Sequence, residues 1–353
     1  MTEAAADILV VNVGSTSLKL ALVSPDERSR TLATLGEAGP DDVAAVAHRV
    51  VHGGAEFTRP AVIDGAVRER IRALEPLAPL HNGPALRGID EAVAALPGVP
   101  QVAVFDTAFH ASMPEPASVY AVPAQWRAWG VRRYGFHGLS VAWSAERAPQ
   151  LLGLPAGRGR LAVCHLGGGC SVTAVRDGRS VDTSMGFSPL EGVPMTTRSG
   201  SLDPSVLLYL QREHGLNANA LEHALNHESG LAGLAGVSGV LEAERAAAAG
   251  HPGAELALEV LALRVAGAVA AMAVAADGLD AVVFTAGAGE RSSGLRARVC
   301  GRLAHLGVQL DPERNAAAAG DADISAGGAA VRALVVTARE ELVAARAARE
   351  LLA

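Results

Sequence analysis

The chain has 353 residues, half of them apolar and only 19% charged, with three cysteines and a formal net charge of −7. That length exceeds one ordinary hydrophobic core, so two domains are expected, and the acidic balance without a long basic run argues against nucleic acid as a partner. Cys164, Cys170 and Cys300 lack CxxC spacing and so predict neither a disulfide framework nor a zinc site.

The N-terminal MTEAAAD lacks the basic and apolar regions of a secretory signal, which places the protein in the cytoplasm. Residues 8–13, ILVVNV, read as a near-continuous apolar strand, 14–17 turn it, and 18–23 read as the returning strand. Lys19 in that second strand is the one lysine among 30 basic residues; a compact ammonium needed at a site and a stray lysine are equally good readings. Residues 43–51 form a strand candidate that runs into the polar cluster His48–Gly54. Asn82 is expected to cap a helix with Pro84 near its first turn. Residues 102–105 make a short buried strand with Asp106 at its end, where α/β proteins often place catalytic groups. RRYGFHGLS, residues 132–140, then crowds aromatic, basic and imidazole groups before a helix starting near Ser140.

A second apolar strand, 161–166, breaks at Gly167-Gly168-Gly169 and resumes over 171–175, closed by Asp177-Gly178. Such a turn leaves backbone N–H groups to face an anion, and Arg198 sits among hydroxyls in TTRSG, donors suited to phosphate or carboxylate oxygens. For the glycine triplet alone, an ordinary hairpin is the plainer alternative. The phosphate reading gains from repetition: Asn12 stands against His165 and Gly14 against Gly167, with strand, turn and strand superposing. Two duplicated domains with facing hairpin tips would make a cleft. Further on, 204–226 is helical and 229–239 a glycine-rich loop, and 253–276 is a long apolar helix. The Glu255, Glu259 and Arg264 it carries argue for a buried helix over a membrane span. The strand 281–285 ends in a glycine turn, 286–290, suited to a nucleotide; 333–336 is a strand and 338–352 a helix. With no low-complexity linker, the hinge falls between Gly138 and Gly159, giving domains 1–138 and 139–353, with the helix at about 339–353 packing back onto the first.

VNVGSTSLK, HRVVHGG, APLHNGPAL, VAVFDTAFH, RRYGFHGLS, CHLGGGCS, MGFSPLEGVPMTTRSGSLDP, FTAGAGE and a late EEL resemble, in order and over nearly the whole chain, the acetate kinase family. The resemblance implies an α/β fold of two duplicated ribonuclease H-like domains, the actin-like ATPase architecture, with a central interdomain cleft. It implies reversible, in-line transfer of the ATP γ-phosphate to acetate, giving acetyl phosphate and ADP, by a homodimer using magnesium, with manganese an alternative. Carried over block by block, Arg49 and Arg198 neutralise the carboxylate and the moving phosphoryl group, His137 donates to that group, and His81 and His165 contact phosphates. Asn12, Asp106 and Glu340 approach the metal; Asn12, Ser15, Ser17, Lys19 and Gly167, Gly168 and Gly169 serve phosphates; Gly287, Ala288, Gly289 and Glu290 lie along the adenosine. For Glu340, capping a helix start is the competing role. Val51, Leu80, Phe136 and Pro189 match the positions around the substrate methyl.

The chain also departs from the family pattern. Gly168 stands where the phosphate turn usually has asparagine, and the Ser-Asp-x-Arg element near the nucleotide is replaced by Ser238-Gly239-Val240-Leu241. Val141 replaces a histidine, and Arg291 an asparagine. Two other readings follow: a propionate or broader short-chain acyl kinase, and a nucleotide-binding regulatory homologue with weak turnover. A dinucleotide oxidoreductase is excluded because no GxGxxG opens a helix.

Overall fold

A computed structural model describes residues 7–13 and 18–353. Its twelve strands form two six-stranded sheets. The first contains β1 (Asp7–Val13), β2 (Leu18–Val23), β3 (Ser29–Leu32), β4 (Val43–Val50), β5 (Ala61–Val62) and β6 (Gln101–Phe105) in the order β3-β2-β1-β4-β6-β5. The second contains β7 (Arg160–Leu166), β8 (Cys170–Arg176), β9 (Arg179–Thr183), β10 (Ala281–Thr285), β11 (Ala322–Asp323) and β12 (Arg332–Val335). Read from β9, its order is β9-β8-β7-β10-β12-β11.

The two sheets match strand for strand. In each, the first three strands form an antiparallel meander. The first then pairs in parallel with the fourth, and the fourth with the last. A short antiparallel strand closes the edge. The duplication expected from the two hairpins therefore extends through the whole of both sheets, as the actin-like ATPase architecture requires.

Both faces of the first sheet are buried, which is why β1 reads as an almost unbroken apolar run. Ile8 and Val10 pack with Ala45, Ala47 and Val104 beneath Leu342, Ala344, Ala345 and Ala348 of the C-terminal helix Glu340–Leu352. On the opposite face Leu9, Val11 and Val46 pack with Ala92 and Leu96, at the end of the helix Pro79–Ala95. Two compact units result: residues up to Ala111 with Phe136–Trp143 and Arg339–Ala353, and Ser112–Gly135 with Ser144–Ala338. Residues 112–135, placed in the first domain by the sequence, group with the second unit, and the chain passes between units inside the helix Gly138–Leu152. In the second unit the helix Pro252–Ala275 is apolar and long enough by composition to cross a membrane. One side of it, including Leu258, Leu261, Val265 and Val269, is buried, and it packs against β7, β8 and β9.

Several local expectations are corrected. Asn82 does not cap a helix: the helix begins at Pro79, whose missing N–H suits the first turn, and Pro84 lies inside it. The Asn82 amide instead bonds the backbone of His52. The helical region 204–226 splits into Pro204–His214 and Ala218–His227, because Gly215 takes the left-handed conformation (φ 68°) and Asn217 caps the second piece. The glycine-rich loop after it holds the short helix Gly230–Ala235. The expected turn at 286–290 is the short helix Ala286–Arg291, entered through a left-handed Ala286 (φ 65°).

Candidate active site

The strongest constellation lies at the C-terminal ends of three adjacent parallel strands. Asn12 on β1 is in register with Arg49 on β4, and Val50 with Phe105 on β6, so Asp106 follows at the strand end. Arg49 grips Asp106 in a fork: Nε donates to Oδ1 at 3.0 Å and to Oδ2 at 3.1 Å, and Nη2 donates to Oδ2 at 2.5 Å. Nη1 turns the other way, donating to Asn12 Oδ1 at 3.2 Å and standing 3.6 Å from Glu340 Oε2. Asn12 Nδ2 donates to the same Glu340 oxygen at 3.3 Å, which ties the C-terminal helix to the site. Burial works against the Arg49 charge, but the carboxylates of Asp106 and Glu340 outweigh it and hold the guanidinium above its ordinary value. The group is permanently cationic, and its side chain keeps 16% exposure from which to meet an anion.

Asn12, Asp106 and Glu340 present oxygen donors alone, the chemistry a hard divalent ion takes. Among the described residues no three or more His, Cys, Asp or Glu side chains gather as a metal cluster. Two carboxylates and an amide thus fit an ion that keeps much of its water shell. Lys19, opposite Asn12 on β2, is exposed. Ser15 and Ser17 lie outside the described residues.

His137 is half-buried and left-handed, with φ at 60°, a conformation that costs a non-glycine residue energy and persists only where neighbours enforce it. The next residue is packed tightly: a Cβ at Gly138 would lie 1.9 Å from the Asp106 carbonyl oxygen. The carbonyl of Phe136 accepts from His110 Nε2 at 2.9 Å. Burial pushes His110 down to about 4, so the ring is neutral with its proton on Nε2. Val51 and Phe136 are buried, Leu80 is half-buried, and His81 sits in the first turn of its helix.

The second unit holds the other expected residues. His165 pairs across β7 with Thr285 of β10 and Ser171 of β8, and its ring lies beside Gly167. Gly167 N–H donates to Gly169 carbonyl at 3.0 Å, and Thr196 N–H donates to Gly168 carbonyl at 3.3 Å, joining the glycine turn to the segment that carries Arg198. Arg198 Nη1 donates to the carbonyl of buried Pro189 at 3.3 Å, and burial lowers the guanidinium below its ordinary value. Gly287, Ala288, Gly289 and Glu290 lie in the short helix after β10, with Gly287 close to Gly167.

Sequence reasoning missed the supports behind these residues. Arg296 is buried and donates to the carbonyls of Gly289 (2.9 Å) and Glu290 (2.7 Å) and to Asn315, fixing the short helix from behind. Its signal was an arginine beside Leu295 and between Val299 and Cys300 on an otherwise apolar helix face. Glu191 bridges Tyr120 and Arg133 (2.9 Å), two residues from Pro189. Glu191 stands within a block already quoted, but nothing in sequence paired it with residue 120 or 133.

Comparison with known proteins places these features in context. The profile of the acetokinase family matches residues 29–346. The acetate kinase of Deinococcus deserti is 51% identical over 326 residues, 91% of this chain and 82% of that protein. Among solved structures, a propionate kinase from Francisella tularensis superposes with a TM-score of 0.90 at 34% identity, covering 97% of this chain and 98% of the other. The acetate kinase of Porphyromonas gingivalis gives 0.88 at 33% identity, covering 99% and 100%.

Proposed function

Because the chain belongs to the acetokinase family, we propose that it moves the γ-phosphate of ATP reversibly onto the carboxylate of acetate, forming acetyl phosphate and ADP. The observation that carries this reading is the Arg49–Asp106 fork with Asn12 and Glu340 at the ends of β1, β4 and β6. The reaction brings a carboxylate against a phosphate, so neutralising charge and holding the two in line supply most of the rate. Arg49 offers a fixed, permanent cation to the acid, and Asp106 holds its plane. Arg198, anchored through Pro189, meets the equatorial oxygens of the moving group, and His137 donates to them. His81, His165, Lys19 and the backbone of 167–169 take the remaining phosphates, with Ser15 and Ser17 assigned there by family position alone. Gly287–Glu290 lie along the adenosine.

Magnesium, or manganese, would be held by Asp106 and Glu340 with Asn12, and would supply charge to screen the phosphate oxygens. The cytoplasm is the compartment. A homodimer is supported by the outward stripe Leu256, Leu263 and Val274 on the helix Pro252–Ala275, apolar and exposed at spacings that stay on one side. Propionate is a second acceptor: Val51, Leu80, Phe136 and Pro189 are all apolar, and one methylene changes such a pocket's preference by only about 1–3 kcal/mol. The test is ATP formation by the purified protein from ADP and acetyl phosphate with magnesium. Steady turnover is expected, and nucleotide binding without turnover would move the assignment to a regulatory homologue.

A further inference from the structure

Beyond the end of β4 the backbone of residues 52–54 leaves the sheet, and each of its N–H groups is taken by a side chain. His52 N–H donates to Asn82 Oδ1 at 3.2 Å, Gly53 N–H to Thr107 Oγ1 at 3.0 Å, and Gly54 N–H to His52 Nδ1 at 2.9 Å. Asn82 Nδ2 returns a bond to the His52 carbonyl at 3.0 Å, so the two residues are clipped in both directions. The edge of the His52 ring meets Phe136, with centroids 5.3 Å apart and planes at 67°. His52 and Asn82 are fully buried. Because Gly54 donates to Nδ1, that nitrogen carries no proton and the ring is held in one orientation against Phe136.

Each anchor of this turn adjoins a residue already assigned to the reaction. Asn82 follows His81 and stands two residues from Leu80, His52 follows Val51, Thr107 follows Asp106, and Phe136 precedes His137. Three of the four residues expected around the substrate methyl, Val51, Leu80 and Phe136, therefore lie in or within two residues of this cluster of hydrogen bonds and ring contact.

We propose that the Asn82–His52 clip is the positioning device that sets which short carboxylic acid is turned over fastest, by fixing Val51 and Leu80 relative to Phe136. This rests on the pocket reading above. Asn82 and His52 act through the pocket residues. Loosening the clip lets the β4 end and the Asn82 helix shift apart, which enlarges the space for the alkyl group while leaving the nucleotide residues of the second unit untouched.

The test compares kcat/KM for acetate, propionate and butyrate, with KM for ATP, in Asn82→Ala, Asn82→Asp, His52→Asn and Val51→Ala. Asn82→Asp keeps an oxygen to accept from His52 N–H but loses the donor to the His52 carbonyl, so it decides the matter if Asn82→Ala does not fold, while His52→Asn keeps both backbone bonds and removes only the ring edge against Phe136. The expected result is a propionate-to-acetate ratio raised about tenfold in the clip variants, with KM for ATP unchanged. Equal losses for all three acids would mean that the clip only supports the fold, and would overturn the proposal. A ratio that moves in Val51→Ala but in no clip variant removes the clip alone. A ratio that stays fixed in Val51→Ala removes the pocket reading and the clip with it.

Discussion

At the scale of single residues, the site depends on where polar groups are placed relative to backbone. Gly168 lies at the tip of the glycine turn, where an added Cβ would meet nothing within 4 Å and no left-handed φ forbids a side chain. Asparagine therefore fits there, and Gly168→Asn is expected to raise kcat about tenfold by restoring a donor toward phosphate. An unchanged or lower kcat would show that the backbone donors already suffice. Two buried histidines give the molecule a defined acid response. Burial pushes both His48, bonded to Gln101 Oε1 at 2.7 Å, and His110 down to about 4. In the unfolded chain they titrate near 6.5. A base whose folded value is lowered stays neutral when buried and takes up its proton on unfolding. The stability it confers is fully present above the unfolded value and is lost as pH falls toward the folded one, roughly 3 kcal/mol for each ring. The thermal midpoint is expected to begin falling between pH 6.5 and 5, before most carboxylates titrate, and less so in His110→Asn. A midpoint flat across that window would contradict it.

Among elements, the decisive contact is between the start of the helix Gly138–Leu152 and the 3-10 turn Asp106–Ser112. With 1.9 Å available where a Cβ would sit, Gly138→Ala must push the helix off the Asp106 carbonyl and move His137 with it. The expected cost is about 2–3 kcal/mol in stability, with a fall in kcat larger than the loss of folded protein explains. Thermal melts beside kcat normalised to folded enzyme check this, and wild-type values in both would refute the constraint. This level also shows what the sequence made legible. β1, β4, β6, β7 and β10 were readable because strands buried on both faces are continuous apolar runs. The edge strands β3, β5, β9 and β11 escaped because they are short or polar and carry no continuous apolar run. The position of Asp106 at a strand end was legible, whereas the left-handed His137 and the close approach of Gly138 to the Asp106 carbonyl were not, since both belong to the tertiary fold. Asn82 was misread because a residue that caps a helix and one that clips a distant backbone look alike in sequence, and only tertiary contact separates them.

For the whole molecule, two copies of one sheet topology carry different chemistry at matching strand ends. In the first unit Asn12, on the first strand of its sheet, joins Arg49 and Asp106; in the second, His165 on the matching strand leads into a glycine turn beside Gly287. The exposed apolar stripe of the helix Pro252–Ala275 belongs to this level too, and light scattering is expected to give twice the 35.9 kDa chain mass. A monomer at working concentration would leave the stripe without that explanation. The central claim is carboxylate phosphorylation by an arginine-lined site. Its most direct test is acyl hydroxamate formation from ATP, magnesium, hydroxylamine and acetate by the purified protein, run beside Arg198→Ala. Product with the wild-type chain that disappears in a folded Arg198→Ala variant is the expected result. No product from the wild-type chain, or undiminished product from the variant, would contradict it.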